Sequence, residues 1–376
     1  MLLMRVLILS CNTGEGHNSC GRALQRAFQA RGIPCDMEDA FAFFSVKGSR
    51  FISSGFVGVY RHVPKLFSWG YQFTEEHPSV FREDSPAYRM LTVGADNVME
   101  FITGGEYDTV LCTHVFSALI LTEGLRRKPM PLRTAFVATD YTCSPSCADS
   151  RLDTYFIPAE SLKAEFAACG IPEEKLVAAG IPLRPEFAGR RDKSAAREAL
   201  ALPADCRHLL VMCGSMGCGP IREMVDEVAS RLTDNCRVSV VCGTNRKLEE
   251  ELNEAYSGRE QIRIYGFVNH ISQLMDSADL YLTKPGGISV TEASRKTLPM
   301  FFVNAVAGCE SHNMRFFLER GGAATAERPA EIAEACLDLL ADEARLAGMS
   351  RALECFAEQR PEEAVLSWAM EAAAGV

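Results

Sequence analysis

The chain has 376 residues, 47% of them apolar and 23% charged, and its formal net charge is -10. This composition is typical of a globular protein, and the length exceeds the roughly 100 to 200 residues that one hydrophobic core usually supports. A protein that holds nucleic acid needs a basic field to neutralise phosphates, so the acidic balance argues against a nucleic-acid partner. We therefore expect a soluble enzyme of two domains.

The N-terminal residues 1–10 are apolar, contain only Arg5 as a basic residue and lack a small-residue cleavage site. This pattern predicts a first strand rather than an export signal. No stretch approaches about 18 uninterrupted apolar residues, so we expect no membrane-spanning helix. A cytoplasmic protein is the prediction.

Fifteen cysteines are scattered along the chain without a Cys-x-x-Cys pair. Cys112, Cys213 and Cys242 lie in apolar runs that read as strands, which favours buried, reduced thiols. Cys143 and Cys147 lack the second pair or the spaced histidine that would complete a tetrahedral set, so we predict no metal site.

Short strand-like runs alternate with helical patterns throughout, as parallel βαβ units require. A Pro- and Arg-rich stretch near residue 185 interrupts the alternation, which then begins again. We predict an N-terminal doubly wound domain over 1–185, a linker over 186–206, a second such domain over 207–345, and C-terminal helices over 346–376 that pack back. The predicted strands are Val6 to Ser10, Val110 to Thr113, Thr134 to Ala138, Thr154 to Ile157, Lys175 to Ala178, Leu209 to Cys213, Val238 to Cys242, Ile262 to Tyr265, Leu280 to Thr283 and Met300 to Val303.

Two domains of this kind, facing one another across a cleft, bind ligands where the carboxyl ends of their strands meet the crevice. Substrates are therefore expected between the domains. The predicted helices are Gly21 to Arg31, Ser161 to Cys169, Pro220 to Leu232, Arg246 to Ala255, Ile271 to Ser277, Ser289 to Lys296, His312 to Glu319 and Glu362 to Ala374.

The turn after the first strand reads Gly14-Glu15-Gly16-His17-Asn18. Its third glycine in a G-x-G-x-x-G pattern would fall on Ser19, so a nicotinamide cofactor is not favoured. Glu15 and His17 flank Gly16 at a helix N-terminus, where the positive helix end keeps a histidine neutral and able to deprotonate a hydroxyl. The alternative is that His17 only caps its helix or binds a phosphate.

Phe41 to Phe73 contains ten aromatic residues and four basic ones, with no acidic residue. Basic charge beside large apolar side chains is typical of a surface that contacts anionic lipid headgroups. We predict a membrane-docking segment; the alternative is a buried helical insertion that covers the first domain.

In the second half, several predicted strands end in glycine-containing turns. Gly214, Gly243 and Gly266 follow three of them, and each turn alone could be an ordinary βα connection. The strand Leu280 to Thr283 runs into Pro285-Gly286-Gly287 and a helix near Ser289, whose N-terminal N–H groups can hold an anion. Glu292 follows one turn later and suits a ribose hydroxyl, so the pattern predicts one nucleotide spread over this edge of the sheet.

Taken together and in order, these motifs resemble the glycosyltransferases that make monogalactosyl- and glucosyl-diacylglycerol, which are relatives of the peptidoglycan N-acetylglucosaminyltransferase. The resemblance implies a GT-B fold of two Rossmann-like domains, a UDP-sugar held by the C-terminal one, a lipid acceptor held by the N-terminal one, and inversion at the anomeric carbon without a bound metal or cofactor. The matching segments are 14–18, 139–141, 180–187, 214–217, 283–293 and 308–313.

The resemblance also assigns roles by position. Glu292 would hold the ribose, Phe267 and Val268 the uracil through backbone groups, and Glu310 and Asn313 the sugar. Gly214, Ser215, Gly286 and Gly287 would hold the diphosphate. His17 would be the general base or donate a hydrogen bond to the leaving diphosphate, and Asp140 is the second candidate for the base. The remaining predicted site residues are Glu15 on the catalytic side and Gly16, Asn18, Met216, Gly217, Gly243, Asn245, Pro285 and Ser289 on the substrate side.

The chain departs from the family pattern at Ser144 and Cys147, where relatives usually carry His and Trp, and at Cys309, where they carry Gln. These departures leave the acceptor and the choice of galactose or glucose open. The expected function is transfer of galactose or glucose from a UDP-sugar to diacylglycerol at the inner face of the cell membrane. The alternatives are transfer to a lipid-linked precursor or soluble glycoside, a UDP-sugar-binding protein without turnover, and a nucleotide-sugar epimerase.

Overall fold

The computed structural model describes residues 4–12, 14–44, 73–74, 76–83, 85–214, 220–303 and 308–373. Most of the predicted docking segment Phe41 to Phe73 therefore lies outside the described residues, as do Ser215, Met216 and Gly217. The chain divides into two compact units. The first comprises residues 1–184, 307–309 and 360–376, and the second comprises 185–306 and 310–359.

The first unit is a parallel sheet with helices between its strands. Its strands lie in the order β2-β1-β3-β4-β5-β6. The strands are β1 (Val6–Ser10), β2 (Cys35–Asp39), β3 (Thr109–Cys112), β4 (Arg133–Val137), β5 (Thr154–Ile157) and β6 (Leu176–Ala178), and the helices are α1 (Glu15–Ala30), α2 (Pro86–Leu91), α3 (Ala95–Gly104), α4 (Val115–Arg127) and α5 (Lys163–Ala168).

The second unit repeats this architecture with the strand order β12-β11-β10-β7-β8-β9, again all parallel. Its strands are β7 (Arg207–Met212), β8 (Cys236–Val241), β9 (Ile262–Tyr265), β10 (Leu280–Thr283), β11 (Met300–Phe302) and β12 (Ala323–Thr325). Its helices are α6 (Lys193–Ala199), α7 (Ile221–Ala229), α8 (Arg246–Ala255), α9 (Ile271–Ser277), α10 (Gly287–Arg295), α11 (Cys309–Glu319), α12 (Pro329–Ala341), α13 (Glu343–Ala352) and α14 (Glu354–Ala357).

Central strands in both units are buried along their whole length. The sequences Val-Leu-Ile-Leu-Ser of β1 and Leu-Tyr-Leu-Thr of β10 show no exposed position, which is typical of parallel sheets covered on both faces. In each sheet the chain starts in the interior and then proceeds toward both edges. Topological switch points result between β1 and β3 in the first unit and between β7 and β10 in the second.

The predicted doubly wound class is confirmed, and every predicted strand is present within two residues at each end. Two edge strands were missed. The sequence of β2, Cys-Asp-Met-Glu-Asp, is mostly polar, and β12 has only three residues. Helix α1 begins at Glu15 rather than Gly21, because the chain enters it from an extended Gly14.

The residues of the predicted linker 186–206 belong to the second unit and include α6. Arg197 of α6 is buried and donates to Asp279, which explains why this polar stretch is ordered. The last helix, α15 (Pro361–Ala373), belongs to the first unit. It contacts α1, and Glu362 accepts a hydrogen bond from the Leu183 N–H.

Cysteines in the described ranges are all free thiols, and most are buried. Cys112 lies in β3, whereas Cys213 and Cys242 directly follow their strands. None of the helices in these ranges is long and apolar enough to cross a bilayer.

A buried histidine makes the stability of the second unit depend on pH. His208 in β7 is fully buried, and its two ring nitrogens lie 2.9 Å from Ser239 Oγ and 3.0 Å from Ser277 Oγ. Burial lowers the pKa of His208 to about 4 from its ordinary 6.5. Between these two pKa values, the unfolded state therefore binds a proton more readily than the folded state does.

We expect the stabilising contribution of His208 to be complete above pH 6.5 and to fall by about 3 kcal/mol as the pH drops to 4. Replacement with glutamine, which does not titrate, removes this dependence. Calorimetric unfolding at pH 7.5, 6.0 and 4.5 should show that the difference in free energy of unfolding between wild type and His208→Gln changes with pH. A difference that stays constant would contradict the assignment.

Candidate active site

His17 lies at the switch point of the first sheet. It is the third residue of α1, directly after β1, and its ring reaches the residues that follow β3 and β4. Nδ1 of His17 lies 2.9 Å from the Thr113 carbonyl oxygen and 2.8 Å from Thr139 Oγ1. Three strand ends therefore fix this one imidazole.

The contact with Thr113 determines which nitrogen of His17 carries the proton. A carbonyl oxygen only accepts hydrogen bonds, so the bond requires a proton on Nδ1. In the neutral ring Nε2 then carries the lone pair, and no hydrogen bond to Nε2 is formed within the described part of the chain. An imidazole held in this tautomer can accept a proton at Nε2.

The environment keeps the ring neutral near pH 7. Burial is the main cause that lowers the pKa of His17, against the opposing effects of the Asp140 charge and the Thr113 carbonyl. Asp140 lies in the segment after β4, next to Thr139, and is partly exposed. The structure thus brings together both residues that were predicted as candidate bases, with Asp140 acting electrostatically on His17.

A second histidine at this position was missed from the sequence. His114 is the N-cap of α4, and its ring centroid lies 4.4 Å from that of His17 in an edge-on arrangement. The burial of His114 and the neighbouring His17 lower its pKa well below the ordinary value. In the sequence, Thr113 and His114 follow an apolar strand, which is where a site residue is expected. This strand end contains no glycine, unlike the turns from which the site was predicted.

The other residues predicted on this side have partners within the protein. Glu15 is exposed and pairs with Arg22 at 2.6 Å on the outer surface of α1. Asn18 is buried; it accepts from Ser10 Oγ and donates to Asn12, so it anchors the β1–α1 turn. Gly16 lies between them in the first turn of α1. This geometry gives Glu15 no contact with His17 and leaves its predicted catalytic role unsupported.

Four strand ends line one edge of the second sheet. Strands β10, β7, β8 and β9 are neighbours in this order, and each is followed by a turn that contains glycine. Gly214 after β7 and Gly243 after β8 have φ angles of 75° and 60°, a region that side chains rarely adopt. The predicted row of turns is therefore continuous in space.

The turn after β10 leads into the N-terminus of α10. Gly286 is the N-cap and offers no side chain to cap the helix, and Gly287 is its first residue. A Cβ placed on Gly286 would meet no atom of the described residues within 4 Å, so these residues leave the space at this helix end open. Uncapped N–H groups at an open helix end are suited to a phosphate.

Helix α11 supports this turn from one side. Glu310 and Asn313 are three residues apart and share a face of the helix. Asn313 is fully buried and donates from Nδ2 to the Pro285 carbonyl at 3.0 Å. Oε1 of Glu310 lies 3.9 Å from Nζ of Lys284. Both residues therefore contact the turn after β10, and their contact with the sugar remains a prediction.

Glu292 and Ser289 are carried by α10 itself. Glu292 is 5% exposed, and its charge is one cause, after burial, that raises the pKa of the neighbouring Tyr281. An ionised carboxylate can accept several hydrogen bonds, and a ribose hydroxyl can donate one. Ser289 lies partly exposed in the first turn of the helix.

The outer part of the edge is formed after β8 and β9. Asn245 accepts a hydrogen bond from the Leu248 N–H and caps α8, so its side chain has a structural role. Phe267 is 68% exposed, and Val268 beside it is partly exposed. This places an accessible aromatic side chain and its backbone at the end of the row.

Two family models match the chain within these two units. Residues 17–183 match the monogalactosyldiacylglycerol (MGDG) synthase family, and residues 208–363 match the C-terminal domain of glycosyltransferase family 28. The chain is a glycosyltransferase, and its N-terminal half resembles the MGDG synthases. This confirms the predicted resemblance and the predicted class of enzyme.

Individual proteins resemble this glycosyltransferase along its whole length. It is 28% identical over 366 residues to the processive diacylglycerol beta-glucosyltransferase of Bacillus subtilis (strain 168). This alignment covers 92% of this chain and 90% of that protein. The crystal structure of MurG from Acinetobacter baumannii aligns over 98% of this chain and 99% of that one, with a TM-score of 0.65 and 13% identity. The crystal structure of HepE from Anabaena in complex with UDP aligns over 99% of this chain and 100% of that one, with a TM-score of 0.60 and 12% identity. These structural likenesses confirm the GT-B fold.

Proposed function

We propose that this glycosyltransferase moves glucose from UDP-glucose to the free hydroxyl of diacylglycerol, with inversion at the anomeric carbon. The observation that carries the proposal is the single tautomer of His17, with Nε2 left as the proton acceptor at the switch point of the N-terminal sheet. An acceptor alcohol needs such a base, because its hydroxyl is a weak nucleophile at neutral pH. The B. subtilis relative supports glucose and diacylglycerol by its name.

The proposed reaction is a single displacement. Nε2 of His17 takes the proton of the acceptor hydroxyl while its oxygen bonds to the anomeric carbon. The bond from that carbon to the diphosphate oxygen breaks, and UDP leaves with the electron pair. Asp140 favours the imidazolium that forms, since its negative charge raises the affinity of His17 for a proton.

The donor would lie along the glycine-lined edge of the second unit. The open N-terminus of α10 faces the diphosphate, so the helix dipole and N–H groups stabilise the negative charge that develops on UDP. Glu292 would hold the ribose, and the backbone at Phe267 and Val268 the uracil. Lys284, paired with Glu310 beside this turn, adds a positive charge near the phosphates.

A screen of donors against acceptors tests the proposal. Purified protein is incubated with UDP-glucose or UDP-galactose and with diacylglycerol vesicles, a lipid-linked precursor or a soluble glycoside, and the products are identified by mass. We expect glucosyl-diacylglycerol as the main product. Transfer to the other acceptors alone, conversion of the UDP-sugar without acceptor, or UDP binding without turnover would each replace the proposal with a named alternative.

We also propose that the enzyme attaches peripherally to anionic membranes through Phe41 to Phe73, on the basis of that segment's four basic residues and its aromatic residues other than Phe41 and Phe44, which are buried in the first unit. Flotation with vesicles that contain or lack anionic lipid tests this attachment. Binding that is independent of vesicle charge, or unchanged when Lys47, Arg50, Arg61 and Lys65 are replaced by glutamine, would contradict it.

Replacing Glu292 with alanine should weaken UDP binding by about 10- to 100-fold, because hydrogen bonds to a charged group contribute roughly 1.5 to 3 kcal/mol. Isothermal titration calorimetry with UDP measures this loss without any acceptor. The exposed Glu250 of α8 provides the matched control, since Glu250→Ala makes the same change of charge and side chain in the same unit. Equal affinities for the two variants would remove Glu292 from the nucleotide site.

A further inference from the structure

His114 is held firmly beside the proposed base, although the reaction as described does not use it. Its Nδ1 accepts the Phe116 N–H at 3.0 Å, so the N-terminus of α4 fixes the plane of the ring. The Phe116 ring lies 4.9 Å away, and the rings of Phe41 and Phe81 pack behind it. The imidazole is 7% exposed.

The hydrogen bond from Phe116 also fixes the protonation of His114. Because Nδ1 accepts, the neutral ring carries its proton on Nε2. A second proton would have to displace the capping bond and would place a positive charge at the positive end of α4. Burial of the ring, the neighbouring His17 and this helix end all favour the neutral form of His114.

The neutral ring of His114 stands edge-on to the ring of His17, with 4.4 Å between the centroids and 68° between the planes. The ring of His114 therefore packs directly against that of His17. Because Thr113 and Thr139 hold Nδ1 and His114 packs against the ring, the imidazole of His17 is restrained both in its plane and across it. These restraints leave Nε2 as the one ring nitrogen without a bond to the described residues.

We propose that His114 is a positioning residue for the transfer reaction, whose ring orients the His17 imidazole and excludes water from it so that Nε2 remains an unprotonated acceptor. The kinetic part of this inference rests on the proposed function. The orientation and the protonation of His17 do not, since they concern the first unit alone.

The groups that determine the titration of His17 come from three elements. Asp140, after β4, favours the imidazolium, and so does the Thr113 carbonyl after β3. Burial has the largest effect; it favours the neutral form and lowers the pKa of His17, and the ring of His114 is one of the groups packed against the imidazole. Removing the ring while keeping its capping bond should therefore shift the balance toward the imidazolium.

Two substitutions separate the ring of His114 from its capping function. His114→Asn keeps a strong N-cap but removes the ring, and His114→Phe keeps a ring of similar shape but removes the cap. In His114→Asn we expect the pKa of His17 to rise by about one unit as water reaches the ring. In His114→Phe we expect the pKa of His17 to stay near its wild-type value while the melting temperature falls.

Proton NMR titration of the His17 ring, assigned with a His17→Gln variant, measures these values without donor or acceptor. The acid limb of kcat/KM should move with the NMR value, and kcat of His114→Asn above that limb should fall about 10-fold as the base loses its orientation. KM for the UDP-sugar should not change.

A wild-type titration of His17 in His114→Asn would overturn the inference, and so would equal shifts in the two variants. If His114→Phe does not fold, the titration of His114→Asn alone decides. Should the wild-type enzyme transfer no sugar, the proposed function fails, while the NMR titration still confirms or refutes the role of His114.

Discussion

Replacing His17 with glutamine should lower kcat for sugar transfer by about two to four orders of magnitude, the usual contribution of a general base. Glutamine retains an N–H that can donate to the Thr113 carbonyl, so the turn should keep its structure. Affinity for UDP should be unchanged, because the residues proposed to hold the nucleotide belong to the other unit. Initial rates with diacylglycerol vesicles and calorimetry with UDP measure the two quantities.

The control for this variant is Arg22→Gln, on the exposed side of the same helix. It should retain most of the wild-type rate. In the wild-type enzyme the acid limb of kcat/KM should have its midpoint below the ordinary histidine value of 6.5, because the pKa of His17 is lowered. A His17→Gln enzyme with wild-type kcat would remove His17 from the reaction.

Replacing Lys296 with methionine should destabilise the second unit by about 3 to 5 kcal/mol, the usual loss when one partner of a buried ion pair is removed. Lys296 ends α10 and is 1% exposed; its Nζ lies 3.1 Å from the fully buried Asp276 and also donates to the Gly189 carbonyl. Burial lowers the pKa of Lys296, while Asp276 opposes this effect. Without the ammonium, the carboxylate of Asp276 loses its counter-charge.

Chemical denaturation, monitored through hydrogen exchange of the amides in β7 and β10, measures the lost free energy of unfolding in this unit. Lys247→Met serves as the control, because Lys247 is 87% exposed on α8 and the same substitution there should change stability by less than about 0.5 kcal/mol. Equal stability of Lys296→Met and Lys247→Met would show that the buried pair contributes nothing. The His17 titration should be the same in both variants.

The sequence predicts the sheets well because parallel strands buried on both faces are short apolar runs, as in β1 and β10. It fails at the edges, where β2 is polar and β12 is short. The helix α6 was missed in this polar stretch, because its order depends on distant contacts such as those of Lys193 and Arg197 with Asp279. Local pattern does not reveal such distant partners.

The same limit applies to the candidate site. Glycine turns and the His17 turn could be predicted, because their spacing follows from strand ends and helix starts. Asn18, Asn245 and Asn313 were predicted to bind substrate, yet their amides bond to the protein itself. His114 was missed because its role depends on the ring of His17, which is 97 residues away in the sequence.

The most direct test of the account is the anomeric configuration of the lipid product. UDP-glucose carries an α-linked sugar, and a single displacement assisted by His17 must invert that linkage. Proton NMR of the lipid recovered from diacylglycerol vesicles should therefore show a β-linked glucosyl-diacylglycerol. An α-linked product, or free glucose with no glycolipid, would contradict the account.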